Sequence, residues 1–294
     1  MDGDIRQEIK ESFKNGTTLT KITYINLAVF IVVKLALVFC GWFEANETWS
    51  QYIMLPADVS SFLHSPWSII TYMFLHLDFI HILFNVLMLY WFGNLFLQYY
   101  SQHDLVGVYV LGGILGGVTY MVAFNLIPKF TGMAGQSHLL GASASVMAII
   151  VAAAVFDPNR QIKLFFVSQF RLKWLAIGAV LLSMLQMNAE NAGGEIAHVG
   201  GAIAGFIFAQ QYRRGKNVAE WINKIIHKAA NLFKGAGIKP KMKVSYDRRE
   251  NDQDYNYRKK QENDEIDSIL DKIKSSGHES LSDDEKRKLF GKSR

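Results

Sequence analysis

Residues 105–127 read LVGVYVLGGILGGVTYMVAFNLI and contain no charged side chain. A run of roughly 20 apolar residues is long enough to cross the hydrocarbon core of a bilayer as a helix. Five further apolar runs occur in the chain, at 22–42, 72–100, 139–156, 172–187 and 196–211. The sequence therefore predicts an all-α membrane protein, in which six transmembrane helices between residues 22 and 212 are followed by a polar tail.

The two polar ends of the chain are predicted to lie outside the bilayer, at residues 1–21 and 213–294. In the tail, apolar residues recur at helical spacing beside lysines, which predicts an amphipathic helix on the membrane surface. The apolar positions of that helix are Trp221, Ile222, Ile225, Ile226 and Leu232. Residues 239–264 are polar and are predicted to be disordered, and a short helical hairpin is expected after them.

Lysine and arginine are distributed unevenly between the predicted loops. They precede the first apolar run, separate the fourth from the fifth and follow the sixth, whereas loops 44–65 and 188–195 contain none. By the positive-inside rule, both termini are then expected in the cytoplasm and those two loops outside. The first apolar run lacks the basic start and cleavage site of a secretory signal. We therefore expect a multi-pass protein of a bacterial inner membrane.

Composition excludes several other kinds of site. The single cysteine, Cys40, can form neither a disulfide framework nor a thiolate metal site. The net charge of +5 is modest, and its basic residues fall in loops, so no nucleic-acid partner is predicted. The histidines outside the apolar runs are too scattered for a metal site; they are His64, His103 and His138. Neither a metal nor a cofactor is expected.

Polar side chains inside the apolar runs are the candidates for function, because each is costly to bury in a membrane. His81 and Asn85 are four residues apart and therefore share one helix face. Ser143 stands near the start of the fourth run and His198 near the start of the sixth. Each lies within about 5–15 Å of its helix start. Since alternate helices run in the same direction, these groups are expected at similar depth.

These residue types fit nucleophilic catalysis. A serine becomes a good nucleophile when a base removes its proton, and histidine is the usual base. His81, Asn85 and the backbone N–H of Ser143 could donate to the oxyanion that such a reaction forms. Gly201 and Gly205 form a small-residue face that would let the sixth helix approach the fourth closely. The fourth helix offers small residues of its own for this contact, namely Gly141, Ala144 and Ala148.

Three motifs together resemble the signatures of the rhomboid intramembrane serine proteases. They are His81-Ile-Leu-Phe-Asn85, Gly141-Ala142-Ser143 and Ala197-His198-x-x-Gly201-x-x-x-Gly205, in that order along the chain. The resemblance extends from about Pro66 to Arg213 and includes Trp67, Thr71 and His76. It implies a six-helix bundle with a catalytic dyad of Ser143 and His198. His81 and Asn85 would then help to form the oxyanion hole.

Three positions depart from the family pattern. Ala144 follows the nucleophile where glycine is usual, and Met147 replaces an aromatic residue that stacks on the base. Trp67-Ser68 stands where the family has a Trp-Arg pair. Each departure leaves the proposed catalytic groups in the sequence. Taken singly, Ser143 also fits a packing serine, and His198 or Asn85 an interhelical hydrogen bond.

Three functions from different classes are compatible with this pattern. The first is an endopeptidase that cleaves peptide bonds in or beside transmembrane segments of other proteins, with its site near the outer face. Its substrates would carry helix-weakening residues, because a helical peptide bond is shielded. The second is an inactive binder of membrane helices. The third, a small transporter, is disfavoured because Lys34 is the one charged residue deep inside a predicted span, with Asp78 and Lys173 nearer span ends, and because no inverted repeat is evident. The oligomeric state is not predicted.

Overall fold

The computed structural model of the protein describes residues 5–42, 47–163, 169–187, 191–233, 261, 265–275, 277 and 280–290. The chain divides into two compact units, Met1–Gly235 and Ala236–Arg294. The helices of the first unit are α1 (Ile5–Asn15), α2 (Thr18–Trp42), α3 (Val59–His64), α4 (Ser68–Thr71), α5 (Phe79–Phe96), α6 (Gln102–Leu126), α7 (Pro128–Thr131), α8 (Ser143–Phe156), α9 (Leu172–Gln186), α10 (Ala192–Arg213) and α11 (Glu220–Phe233).

Short segments of other structure connect these helices. Two turns of 3-10 helix lie at Glu47–Tyr52 and Tyr72–Phe74. Four short strands form two antiparallel pairs, in which β1 (Leu55–Pro56) pairs with β2 (His138–Leu139) and β3 (Gln161–Lys163) pairs with β4 (Gln169–Arg171). The sequence patterns did not predict these strands, because runs of two or three residues are too short to show a period of two.

The helices form a bundle with an apolar outer surface. In the described part of the chain, α2, α5, α6 and α10 are long and apolar enough to cross a membrane, and α8 and α9 are shorter apolar helices. Large apolar side chains are exposed on α2, α5 and α9, among them Val32, Leu35, Phe84, Leu182 and Leu185. A surface of this kind is stable against lipid and unfavourable against water. The prediction of a helical membrane bundle is therefore confirmed.

Small residues let the inner helices pack closely. Gly112 and Gly116 of α6 lie against Ala148 and Ala144 of α8. Glycine leaves space at both positions, so the backbones of the two helices approach each other without side chains between them. Tyr109 of α6 anchors the same region, because its hydroxyl donates to the carbonyl of Met73 at 2.9 Å. These contacts hold α8 inside the bundle, although it is shorter than α6 and α10.

Several predicted helix boundaries are wrong by a few residues. The second apolar run was predicted to become helical at Tyr72, but α5 begins at Phe79, since the Asp78 carboxylate caps it by accepting from the backbone N–H of His81 at 2.8 Å. The fourth begins at Ser143 because the residues before it form β2. The sixth begins at Ala192, four residues earlier than predicted. That last shift brings Glu195 into the helix.

The amphipathic helix predicted after the bundle is α11. Ile222 is buried on its inner face, while Trp221, Ile225 and Ile226 are exposed. Its first turn rests on α6, where Asn223 donates to the carbonyl of His103 at 3.0 Å. The exposed apolar side chains are consistent with a membrane surface, which remains a prediction for this helix.

The second unit contains the end of the polar tail. Residues 265–275 are helical (α12), and α13 spans Asp283–Phe290. The hydroxyl of Ser282 accepts from the backbone N–H of Glu285, whose carboxylate in turn accepts from the N–H of Ser282. That N–H and the ammonium of Lys272 together lower the pKa of Glu285 to about 2. The predicted disorder at 239–264 falls on residues outside the described part of the chain, apart from residue 261.

Candidate functional site

The loop before Ser143 is held in place by three other segments. The N–H of Gly141 donates to the carbonyl of Tyr72 at 2.9 Å, and that of Ala142 donates to Nε2 of His76 at 3.3 Å. Strand β2, just before the loop, pairs with β1. Gly141 has a φ of +114°, which an L side chain rarely adopts. These constraints place Ser143 at the first position of α8.

The imidazole of His81 lies against this loop. A Cβ atom added at Gly141 would stand 2.8 Å from Cε1 and 2.9 Å from Nε2 of His81, so glycine makes room for the ring. The rings of His76 and His81 also meet edge to face, with centroids 5.0 Å apart. The turn and the histidine therefore position each other, and Nε2 of His81 lies on the side where Ser143 begins its helix.

All four predicted catalytic side chains line one cavity of about 480 Å³. The cavity lies between α5, α8, α9 and α10. Ser143 and His198 contribute from α8 and α10, while His81 and Asn85 contribute from α5. Apart from Ser183, the remaining lining is apolar: Phe84, Met88, Phe92, Val146, Met147, Ile150, Leu175 and Ala179. The structure thus gathers polar groups from three separate sequence stretches at one end of an apolar chamber.

Asn85 has capacity for a further hydrogen bond. Its side-chain amide donates to the backbone carbonyl of His81 at 3.0 Å, which uses one of two amide hydrogens. Among the described residues no acceptor uses the second hydrogen, so it can donate to a group in the cavity. A pinned amide with one unused donor is well suited to stabilising an oxyanion.

His198 is held through one ring nitrogen. Its Nδ1 lies 2.8 Å from the hydroxyl of Ser183 on α9 and 3.1 Å from Oε2 of Glu195 on its own helix. Within the described residues, no hydrogen bond joins the hydroxyl of Ser143 to His198. The two side chains nevertheless face the same cavity, and catalytic hydrogen bonds often tighten only when substrate is bound.

Direct backbone contact between α8 and α10 brings these side chains to one side of the bundle. A Cβ atom at Gly201 would overlap the carbonyl oxygen of Ala144, and one at Gly205 would overlap that of Ala148. The helices can therefore pack this closely only because both positions are glycine. His198 precedes Gly201 by nearly one turn, so the contact carries its ring towards the start of α8.

Two residues at the site were not predicted from the sequence. Glu195 was predicted to lie in the loop before the sixth helix, outside the transmembrane spans. The structure corrects this, because α10 begins at Ala192 and Glu195 is 8 % exposed within it. Glu195 precedes His198 by three residues, a spacing that makes two side chains neighbours on a helix and could have indicated this contact. Ser183 is one polar residue among the apolar residues of α9, and no pattern marked it.

Two of the histidines considered for a metal site contact backbone carbonyls instead. His64 and His138 line a separate pocket of about 250 Å³. Each Nδ1 pairs with a nearby backbone carbonyl, of Ser60 at 2.8 Å and of Gln136 at 3.2 Å respectively. The described residues contain no group of three or more His, Cys, Asp or Glu side chains arranged to hold a metal ion.

Two known families match separate stretches of the chain. The Rhomboid domain matches residues 63–214, just over half of the chain, and a family of unknown function (DUF6576) matches residues 250–294. The first match covers the whole cavity described above. The second covers the described helices of the tail unit.

Curated relatives of the chain are rhomboid-like proteins. RHOMBOID-like protein 12, mitochondrial, of Arabidopsis thaliana is 29% identical over 201 residues, which cover 63% of this chain and 58% of that protein. Presenilin-associated rhomboid-like protein, mitochondrial, is 27% identical in Homo sapiens over 219 residues, covering 69% of this chain and 52% of that protein. The chain thus spans about half the length of these relatives.

The names of these relatives overturn one prediction. The chain was expected in a bacterial inner membrane with both termini in the cytoplasm. The relatives it matches are mitochondrial proteins of a plant and of mammals. The expectation rested on loop charges, which report the orientation of a helix relative to a membrane and carry no information about which membrane it is.

Proposed function

Since the chain belongs to the rhomboid family, we propose that it is an intramembrane serine endopeptidase. Ser143 is the nucleophile and His198 the general base, and the activity belongs to the six-helix region of residues 22–212. The enzyme hydrolyses peptide bonds in or next to the transmembrane segments of other membrane proteins.

The observation that carries this proposal is the shared cavity of Ser143 and His198. Nδ1 of His198 already has two partners, so Nε2 is the ring nitrogen left to accept the serine proton. The Ser143 oxygen then attacks the substrate carbonyl, and the imidazolium returns the proton to the leaving amine. Water entering the cavity repeats the same steps on the acyl-enzyme and frees the serine.

Three donors are available for the oxyanion of the tetrahedral intermediate. The backbone N–H of Ser143 is in the first turn of α8, where amides lack helical partners. Asn85 has its unused amide hydrogen, and His81 presents Nε2 beside the turn at Gly141. Such donors typically stabilise the transition state more than any other single feature of an acyl-transfer site.

The cavity also indicates the kind of substrate. Its walls are apolar, and Phe84 at its edge is 56% exposed on the outside of α5, so the chamber reaches the surface of the bundle. Ser143 begins α8 and Arg160 follows the end of that helix, which supports a site near the face opposite the basic loops. We expect substrates to be membrane helices with weak helical propensity near that face, since the cleaved bond must be extended.

A serine-directed fluorophosphonate probe tests the proposal on the detergent-solubilised protein. We expect the wild-type protein to be labelled at a single residue, Ser143, as mapped by mass spectrometry. The fraction of protein that the probe labels should match the fraction of cleavage activity lost towards a transmembrane model peptide. Absence of labelling in cooperatively folded protein, or labelling at another serine, would contradict the assignment.

Replacing Asn85 by alanine should lower kcat by about 10²–10³-fold, the usual cost of losing one oxyanion donor. KM and the thermal unfolding temperature should change little, because within the described residues the amide donates to a carbonyl of its own helix and to no other element. Asn94→Ala is a matched control, since Asn94 makes the same bond to the carbonyl of Tyr90 on α5 but does not line the cavity. Equal kinetics in the two variants would show that Asn85 is structural.

Removing the tail should leave catalysis intact. The described unit at Ala236–Arg294 is compact by itself, and every proposed catalytic residue lies before Arg213. We expect a chain ending at Gly235 to be labelled by fluorophosphonate and to cleave the model peptide at close to the rate of the full chain, since the truncation removes no proposed catalytic residue. Loss of labelling in a stable, membrane-inserted truncation would place the tail within the enzyme.

Two features favour a second function, the binding of membrane helices without cleavage. Among the described residues the Ser143 hydroxyl makes no hydrogen bond to His198, and Ala144 and Met147 stand where the family pattern differs. A pure binder would retain a transmembrane peptide in the cavity yet react with no fluorophosphonate. The same probe experiment therefore decides between the two functions.

A further inference from the structure

Glu195 is a buried acid with a specific partner. It lies in the first turn of α10, where the helix dipole favours negative charge, and its side chain is 11% exposed. A carboxylate in such surroundings is costly unless it is hydrogen bonded or paired. Its Oε2 stands 3.1 Å from Nδ1 of His198, three residues further along the same face.

The carboxylate restricts how the imidazole can be protonated. An ionised carboxylate only accepts hydrogen bonds, so the hydrogen of a neutral His198 ring belongs on Nδ1. Nε2 then carries the lone pair that a general base needs. When the ring takes up a second proton, the nearby negative charge stabilises the imidazolium.

Ser183 connects this pair to another helix. Its hydroxyl lies 2.8 Å from Nδ1 of His198, the same ring nitrogen that contacts the Glu195 carboxylate. Nδ1 of His198 therefore contacts one oxygen from α9 and one from α10. Ser183 is 7% exposed, although most of α9 around it faces outward. The orientation of the His198 ring is thus fixed from both α9 and α10.

We propose that Glu195 is a positioning residue for the base, so that this enzyme works with Ser143, His198 and Glu195 as a triad supported by Ser183. The inference rests on the proposed protease function and deepens it. The resemblance of the sequence to its family implies a dyad without an acid, and the acid here is assigned from the contacts of this chain alone.

The first test compares Glu195→Gln with wild type and with Glu220→Gln. Glu220 is an exposed acid in an ion pair with Lys224 on α11, outside the cavity, and serves as the matched control. We expect Glu195→Gln to lower both kcat and the fluorophosphonate labelling rate by at least about 10²-fold at unchanged KM, since loss of the equivalent acid in a serine protease costs about 10⁴. Glu220→Gln should match wild type.

The pH profile separates positioning from simple structural support. Among the described residues, the charged or titratable groups that face His198 are Glu195 on its own helix and His81 across the cavity on α5, while Ser183 on α9 is neutral. Removing the carboxylate destabilises the imidazolium. In a plot of kcat against pH, the fall in kcat on the acid side (the acid limb) should therefore move to lower pH in Glu195→Gln. In Glu195→Asp, which keeps the charge, that limb should return towards the wild-type position. A wild-type rate and an unmoved limb in Glu195→Gln would overturn the proposal.

A measurement on the unmodified protein covers the case in which Glu195→Gln does not fold. Nitrogen-15 NMR of histidine-labelled protein, with His198 assigned by its loss in His198→Gln, reports which ring nitrogen carries hydrogen. We expect the Nδ1–H form at neutral pH, and the Nε2–H form would refute the inference. This result is independent of catalysis. If Ser143 fails to react with the probe, the protease proposal fails, while the ring form still tests the pair with Glu195.

Discussion

Ser143→Ala is expected to abolish both fluorophosphonate labelling and peptide cleavage, whereas Ser145→Ala should leave both intact. The two serines lie two residues apart on α8, so their side chains point about 200° away from each other. Ser143 is half-buried and lines the cavity, while Ser145 is fully buried on another face. Only Ser143 can therefore reach a substrate carbonyl.

The expected loss in kcat for Ser143→Ala is about 10⁶-fold, as for removal of the nucleophile in other serine proteases. The hydroxyl of Ser145 is buried and has no hydrogen-bond partner within the described residues. Removing a buried, unpartnered hydroxyl is neutral or stabilising. Ser145→Ala should therefore unfold at the same or a higher temperature than wild type.

Both variants are compared by probe labelling, by peptide cleavage and by thermal unfolding in detergent. The unfolding curve of Ser143→Ala should resemble that of wild type, because its hydroxyl forms no hydrogen bond among the described side chains. A dead Ser145→Ala beside an active Ser143→Ala would mean that the rotation of α8 is different and that the mechanism must be reassigned.

Gly201→Val should lower the stability of the bundle more than the serine, asparagine or glutamate substitutions described above. A Cβ atom at this position overlaps the backbone carbonyl of Ala144, which cannot rotate away as a flexible side chain could. Overpacking in well-packed cores costs about 1–3 kcal/mol and occasionally more. Because the obstacle here is backbone, we expect a loss above about 3 kcal/mol, together with loss of probe labelling as His198 moves away from Ser143.

Gly178→Val is the matched control for this substitution. Gly178 lies on the exposed face of α9, where an added Cβ atom meets nothing within 4 Å. Thermal unfolding in detergent and probe labelling should be close to wild type in this variant, which has the same added volume in an apolar helix. If Gly201→Val unfolds no earlier than Gly178→Val, α8 and α10 do not pack through their backbones.

The sequence by itself determined the helices, their order and the residues that could carry chemistry. Long uncharged runs must form helices in a bilayer, because every backbone polar group has to be satisfied within the segment. That argument needs only local information, and it predicts that α2, α5, α6 and α10 exist, although it misplaces the starts of α5 and α10. The spacing of His81 and Asn85 on one helix face, and the small residues at Gly201 and Gly205, are likewise readable without a structure.

Tertiary structure alone decided which polar groups meet. Glu195 was misplaced because a helix end near two glycines has no apolar signal, and a shift of four residues turned a loop acid into a buried partner of His198. Ser183 comes from a different helix, and its position depends on how α9 is rotated and translated against α10. Rotation and translation follow from the packing of many side chains at once. A small rotation of a helix leaves the spacing of its apolar residues along the sequence unchanged. The same rotation breaks a hydrogen bond once the donor and acceptor move apart by about 1 Å.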